Sequence, residues 1–155
     1  MADKMMAAAK AAVGDLHKND EDELYRLLAL RLQAIQRDPA AAGSFAPKIQ
    51  ASEVGIAPSD LLKIGKEAFA RLAVAAQPLV CGTGADGFPL QRLLGALSTD
   101  VTTVTAAVAS LLIAQLAIAP AIAGVVAALV VGKVAPTSVA ALCKAWGAKI
   151  AAMRT

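Results

Sequence analysis

From Val101 to Gly132 the chain carries no charged residue, and its polar side chains there are Thr102, Thr103, Thr105, Ser110 and Gln115. Backbone and apolar groups in such a run need either lipid or other protein around them. A bilayer core takes about 20 consecutive apolar residues, and this run exceeds that. Three arrangements satisfy it. As one helix it measures roughly 48 Å at about 1.5 Å per residue, long for a core of about 30 Å, so it would tilt or leave one end at the interface. As a hairpin it goes in along Val101 to Ile118 and turns at Ala119-Pro120. Its return limb reaches Lys133, whose long side chain can snorkel. As the centre of a bundle it is apolar all round because helices surround it.

The rest of the composition frames this choice. Of 155 residues, 57% are hydrophobic, 17% charged and 3% aromatic, against about 45–50% apolar and about 25% charged in ordinary soluble domains. That excludes a disordered chain, and two cysteines exclude a disulfide scaffold. Cys81 and Cys143 fit no metal spacing and are expected to be small buried thiols in a reducing compartment. The net charge of +3 is spread along the chain, but no Asp or Glu follows Asp100, so Lys133, Lys144, Lys149 and Arg154 leave the C-terminal end basic. Four dispersed charges without aromatic platforms do not predict a nucleic-acid partner; anionic lipid headgroups suit them better. The first residues lack the continuous apolar stretch of a secretory signal, which predicts a cytoplasmic N-terminal region and no cleaved signal peptide.

Helical periodicity recurs along the chain and no alternating strand pattern appears. Residues 2 to 16 are alanine-rich and suit a helix. Asn19 is the expected cap of the next helix, with acidic residues at its positive end. Leu24, Leu27, Leu28, Leu32 and Ile35 form its apolar stripe, and Pro39 stops it. A loop to Pro58 precedes a helix with Leu61, Ile64, Ala68, Leu72 and Ala76 on its inner face, expected to end at Pro78. A glycine-rich turn at Gly82 to Gly87 and a short helix near 89–97 follow. After Pro136 a last helix, 137–153, aligns Val139, Leu142, Cys143, Trp146, Ile150 and Met153, with Lys144 and Lys149 off that face. The predicted fold is therefore all-α: a soluble amphipathic helical region at 1–98, then a segment 99–155 holding the apolar run 101–132 and a basic amphipathic helix.

Catalytic signals are lacking. His17, the one histidine, is expected to be a solvated surface side chain without a triad or ligand partner. The acids around Asp20 form a helix start, and Gly82 to Gly87 lacks the lysine and the flanking strand of a phosphate loop. No catalytic residue, metal site, cofactor or small-molecule substrate is predicted. In a bilayer Gln115 would need an amide partner on another helix. Ala117 and Ala121, Ala119 and Ala123, and Gly124 and Ala128 have the small-residue spacing of closely packed membrane helices. These residues form the predicted helix-association surface. Lys133, Lys144, Trp146 and Lys149 form the predicted membrane interface, tryptophan and lysine being its usual anchors. A hairpin also keeps both the N-terminal region and the basic tail on the cytoplasmic side.

In kind, the arrangement is similar to pore-forming helical proteins, whose charge-free hairpin is shielded by amphipathic helices until it enters a membrane. That resemblance rests on composition over about a third of the chain and carries no diagnostic motif. The expected function is non-enzymatic: helix association in a membrane, as a pore-forming effector or a subunit of a membrane complex, with lipid and further copies or subunits as partners. The alternative is a soluble, partner-binding or self-assembling helical protein with 101–132 buried in its core or subunit interface.

Overall fold

The charge-free run folds as two helices rather than one, and both lie inside a helical bundle. A computed structural model describes residues 2–43, 55–81, 101–132 and 139–153. The expectations for the glycine-rich turn, the 89–97 helix and Lys133 lie outside the described residues. In chain order the helices are α1 (Ala2–Leu16), α2 (Glu21–Arg37), a 3-10 turn (Pro39–Gly43), α3 (Pro58–Cys81), α4 (Val101–Leu116), α5 (Pro120–Val131) and α6 (Val139–Met153). Among the described residues there is no strand.

Local chemistry explains the boundaries. Asp20, not Asn19, caps α2: its carboxylate accepts from the Glu23 N–H at 2.7 Å. Asn19 instead donates its side-chain amide to the Leu16 carbonyl at 3.3 Å, at the end of α1. α2 ends at Arg37, and Pro39 opens the 3-10 turn. α3 does not stop at Pro78; it carries that proline internally and continues to Cys81.

The α4–α5 turn is built from Ala117, Ile118 and Ala119. Ala117 takes the left-handed conformation, φ 54°, and its N–H closes back on the Ile113 carbonyl at 3.1 Å. This is a helix stop usually given to glycine. Pro120 then occupies the first turn of α5, where a missing N–H costs nothing. At the far end Gly132, φ 77°, donates to the Ala128 carbonyl at 3.0 Å, and its lack of a Cβ permits that φ.

α5 is the axis of the bundle. Every residue from Ala121 to Val131 is buried, with α1, α2, α3, α4 and α6 all packed against it. α4 is buried from Val104 to Ser110. Its hydroxyls are satisfied within the helix, Thr105 donating to the Val101 carbonyl at 2.7 Å and Ser110 to the Ala106 carbonyl at 2.9 Å. Residues of the predicted 1–98 region (Val13, Leu28, Phe69, Ala73) and of the 99–155 segment (Val108, Val125, Trp146) share one core. No described helix is long and apolar enough to cross a membrane: α4 has 16 residues and α5 has 12, or roughly 24 and 18 Å at the α-helical rise.

The tightest crossing is α2 on α3. A Cβ at Gly65 would fall onto the backbone carbonyl of Tyr25, so glycine sets how closely these helices approach. Beside it the Tyr25 and Phe69 rings meet edge to face, centroids 5.6 Å apart.

Candidate functional site

Where α1 turns into α2, the C-terminal end of α5 and the last turns of α6 converge. A cavity of about 170 Å³ opens there, lined by His17, Asn19, Glu21 and Lys149 with Leu24, Ala128, Leu129 and Gly132. It is the place where the bundle brings charged and polar side chains together beside the charge-free helix.

Lys149 is the hub. Its ammonium lies 3.2 Å from Glu21 Oε1 and donates to the Leu129 carbonyl at 3.1 Å. That carbonyl belongs to the last turn of α5, where backbone acceptors have no helical partner and the helix dipole is negative. Lys149 also sits 5.5 Å from the centroid of the Phe69 ring. Glu21 accepts a second bond from the Tyr25 hydroxyl at 3.0 Å, and Lys66 stands 5.9 Å from the Tyr25 ring centroid. Partial burial pulls the Glu21 carboxyl upward, but Lys149 and the Tyr25 hydroxyl overcome it and hold it below its ordinary value. Burial, reinforced by the Glu21 charge, pushes the Tyr25 phenol well above its ordinary value.

His17 is half-buried rather than solvated, with Nε2 2.9 Å from Thr105 Oγ1. Thr105 gives its one hydroxyl proton to Val101, so the bonding network assigns the proton of this contact to His17 Nε2. The histidine thus ties the α1–α2 turn to α4.

The described residues of the predicted membrane interface do not share one exposed face. Trp146 is 1% exposed, in the core, and Lys149 is turned inward onto α5; Lys144 alone of the described three is exposed. The predicted association residues are also dispersed. Gln115 and Ala117 are exposed at the α4–α5 turn, while Ala121, Gly124 and Ala128 are buried inside the bundle. Ala117 and Ala121 fall on opposite sides of the turn, so their spacing of four is not one helix face; Gly124 and Ala128 do share α5.

Two features escape a reading of residue types. Arg31 is 5% exposed and donates from Nη1 to the Ala121 carbonyl at 3.0 Å; burial pushes its guanidinium down to about 10, still protonated at neutral pH. Cys143 is disulfide-bonded, not a free thiol, and the sequence holds one other cysteine, Cys81. The pattern did contain a signal for the buried charges: Arg31 lies seven residues after Leu24 and three after Leu28, and Lys149 stands likewise to Leu142 and Trp146. By this spacing both positions fall on or beside the apolar face, which corrects the placing of Lys149 off it.

Among the described residues, no group of three His, Cys, Asp or Glu side chains is placed to hold a metal ion. Comparison with known proteins found no matching family model, no matching curated protein and no matching solved structure.

Proposed function

We propose that the chain is a non-enzymatic helical binding module that works in its closed form, with residues 101–132 serving as its own core. The burial of every residue from Ala121 to Val131 carries this reading. A helix apolar on all sides needs cover on all sides, and five neighbouring helices supply it, so lipid is not required to solvate the run. The engagement of His17 with Thr105 and of Glu21 with Lys149 gives these titratable groups structural work. Self-association is assigned to the exposed α4–α5 turn at Gln115 and Ala117. The test is extraction: expressed chain that leaves cell membranes in an alkaline carbonate wash without detergent supports the closed module, and chain retained in the washed membrane contradicts it.

Insertion of the hairpin into a membrane, as a pore-forming effector or membrane-complex subunit, is the second reading, favoured by one specific observation. The half-buried apolar residues Leu111, Ile113, Leu116 and Ile118 gather at the charge-free turn end of α4 and α5. At their folded lengths these helices fall short of a core of about 30 Å, so insertion requires the bundle to open and the helices to extend. Dye release from anionic liposomes is its test, and intact liposomes at saturating protein contradict it.

A further inference from the structure

We propose that the cavity between the α1–α2 turn, the end of α5 and α6 binds a small zwitterion of the α-amino-acid class, its carboxylate on Lys149 and its ammonium on Glu21 and Asn19. Lys149 reaches this cavity only while α6 is docked, so the assignment rests on the closed-module reading.

Hydrogen-bonding capacity left over in the cavity carries it. An ammonium has three donors. Lys149 gives one to Glu21 Oε1 and one to the Leu129 carbonyl. The Phe69 ring, its centroid 5.5 Å away, draws on the charge of Lys149 rather than on its third N–H. Glu21 Oε1 accepts from both Lys149 and the Tyr25 hydroxyl, while Oε2 accepts from none of the described residues. Asn19 donates through Nδ2 to the Leu16 carbonyl, and its Oδ1 accepts nothing among the described residues. All three side chains line the cavity. One cationic donor, one anionic acceptor and one neutral acceptor therefore stay unspent around a common space. The Lys149 side chain is only 25% exposed, so solvent screens its charge less than that of a surface lysine.

Charge and size narrow the ligand. The Glu21 carboxyl lies below its ordinary value, so it is ionised at neutral pH and the pair with Lys149 is neutral as a whole. A lone anion drawn to Lys149 meets Glu21 at 3.2 Å from it, and a lone cation drawn to Glu21 meets Lys149. A zwitterion laid antiparallel to the pair meets opposite charge at both ends. In an α-amino acid both charged groups are bonded to one carbon, which suits a pair already in contact; a longer zwitterion carries its charges past it. Leu24, Ala128 and Leu129 supply the apolar wall, which suits a short aliphatic side chain. A cavity of about 150 Å³ holds benzene, so the volume of about 170 Å³ here takes a ligand of about six heavy atoms, the size of L-alanine.

The test is a titration of the isotope-labelled full chain, followed by amide chemical shifts. L-alanine is expected to shift the Asn19, Glu21 and Gly132 amides saturably, with a dissociation constant of about 1 mM. Propionate lacks the ammonium, ethylamine lacks the carboxylate, and ε-aminocaproate holds its charges far apart. Each is expected to bind at least about tenfold more weakly. Lys149→Met and Glu21→Gln are each expected to weaken L-alanine at least about tenfold, and Glu21→Gln, at a side chain 60% exposed, decides the matter if Lys149→Met does not fold. Lys18→Met, at an exposed lysine outside the cavity, is expected to change nothing. No saturable shift with L-alanine, equal binding of propionate or ethylamine, or full affinity in Glu21→Gln overturns the assignment. Chain that leaves membranes in the carbonate wash and shows no such shift overturns the ligand alone, whereas chain retained there overturns the module beneath it.

Discussion

An added methyl group at Gly65 has nowhere to go but the carbonyl of Tyr25. Gly65→Ala therefore forces α2 and α3 apart and strips contact from the Tyr25–Phe69 pair, with an expected loss of about 3 kcal/mol by urea denaturation. Ala117 is the opposite case. It holds φ 54° in a stop that glycine fills without strain, so Ala117→Gly is expected to stabilise the chain by about 1 kcal/mol, read as a higher Tm. A loss on that substitution would refute the left-handed turn. Thr105 spends its hydroxyl on Val101 and accepts from His17. Thr105→Val keeps the volume but removes the hydroxyl that His17 bonds across to α4, at an expected cost of about 1 kcal/mol in urea denaturation. None of these three roles is written in residue type. Gly65 lies in a helical pattern like any other small residue, and only the crossing with α2 makes its hydrogen obligatory.

At the scale of elements, the end of α5 accounts for the placement of a residue that composition reads as an interface anchor. Trp146 and Lys149 have the chemistry of an interface anchor, but Lys149 neutralises the negative end of α5 at Leu129 and is itself paired with Glu21. The carboxyl of Glu21 lies below its ordinary value when folded. Folding is then favoured by the ionised form, so this contribution is present above the unfolded value near 4.5 and is lost as pH falls through the lower folded value. Because Glu21 is exposed on one side, the pair is expected to contribute less than about 1 kcal/mol. Glu21→Gln should flatten the acid limb of stability against pH, and a double-mutant cycle with Lys149→Met should show a coupling that salt weakens. Helix positions were largely legible from periodicity: α1, α2 and α6 fall where apolar spacing and prolines put them, and of the three arrangements open for 101–132 the turn at 117–119 adjoins the reversal of the hairpin. Pro78 was not legible as a helix-internal proline. The stripe of α2 was legible too, and the spacing of Arg31 from Leu24 and Leu28 placed it beside that stripe, but its burial was not, because a guanidinium is read as solvated until the carbonyl that receives it, Ala121, is brought across by the fold.

For the whole molecule, the surplus of apolar over charged residues resolves into geometry. An uncharged run of this length suits lipid or a protein interior equally well by sequence, since both demand apolar surface on every side. What separates them is the cover: in this fold α5 is enclosed by its own chain, the buried hydroxyls of α4 at Thr105 and Ser110 bond within the helix, and Gln115 is exposed. The sequence could not supply that, because cover depends on how α1, α2, α3 and α6 meet around the hairpin. The candidate site was likewise invisible, since Lys149 comes from a stretch 128 residues after Glu21. The central claim, that residues 101–132 are the core of a closed bundle, is tested most directly by amide hydrogen exchange on the oxidised chain in detergent-free buffer, with and without anionic liposomes. The account predicts that amides from Ala121 to Val131 are among the slowest in the protein and keep their rates when liposomes are added. Rapid exchange across α5 in buffer, with protection gained only on lipid, would contradict it.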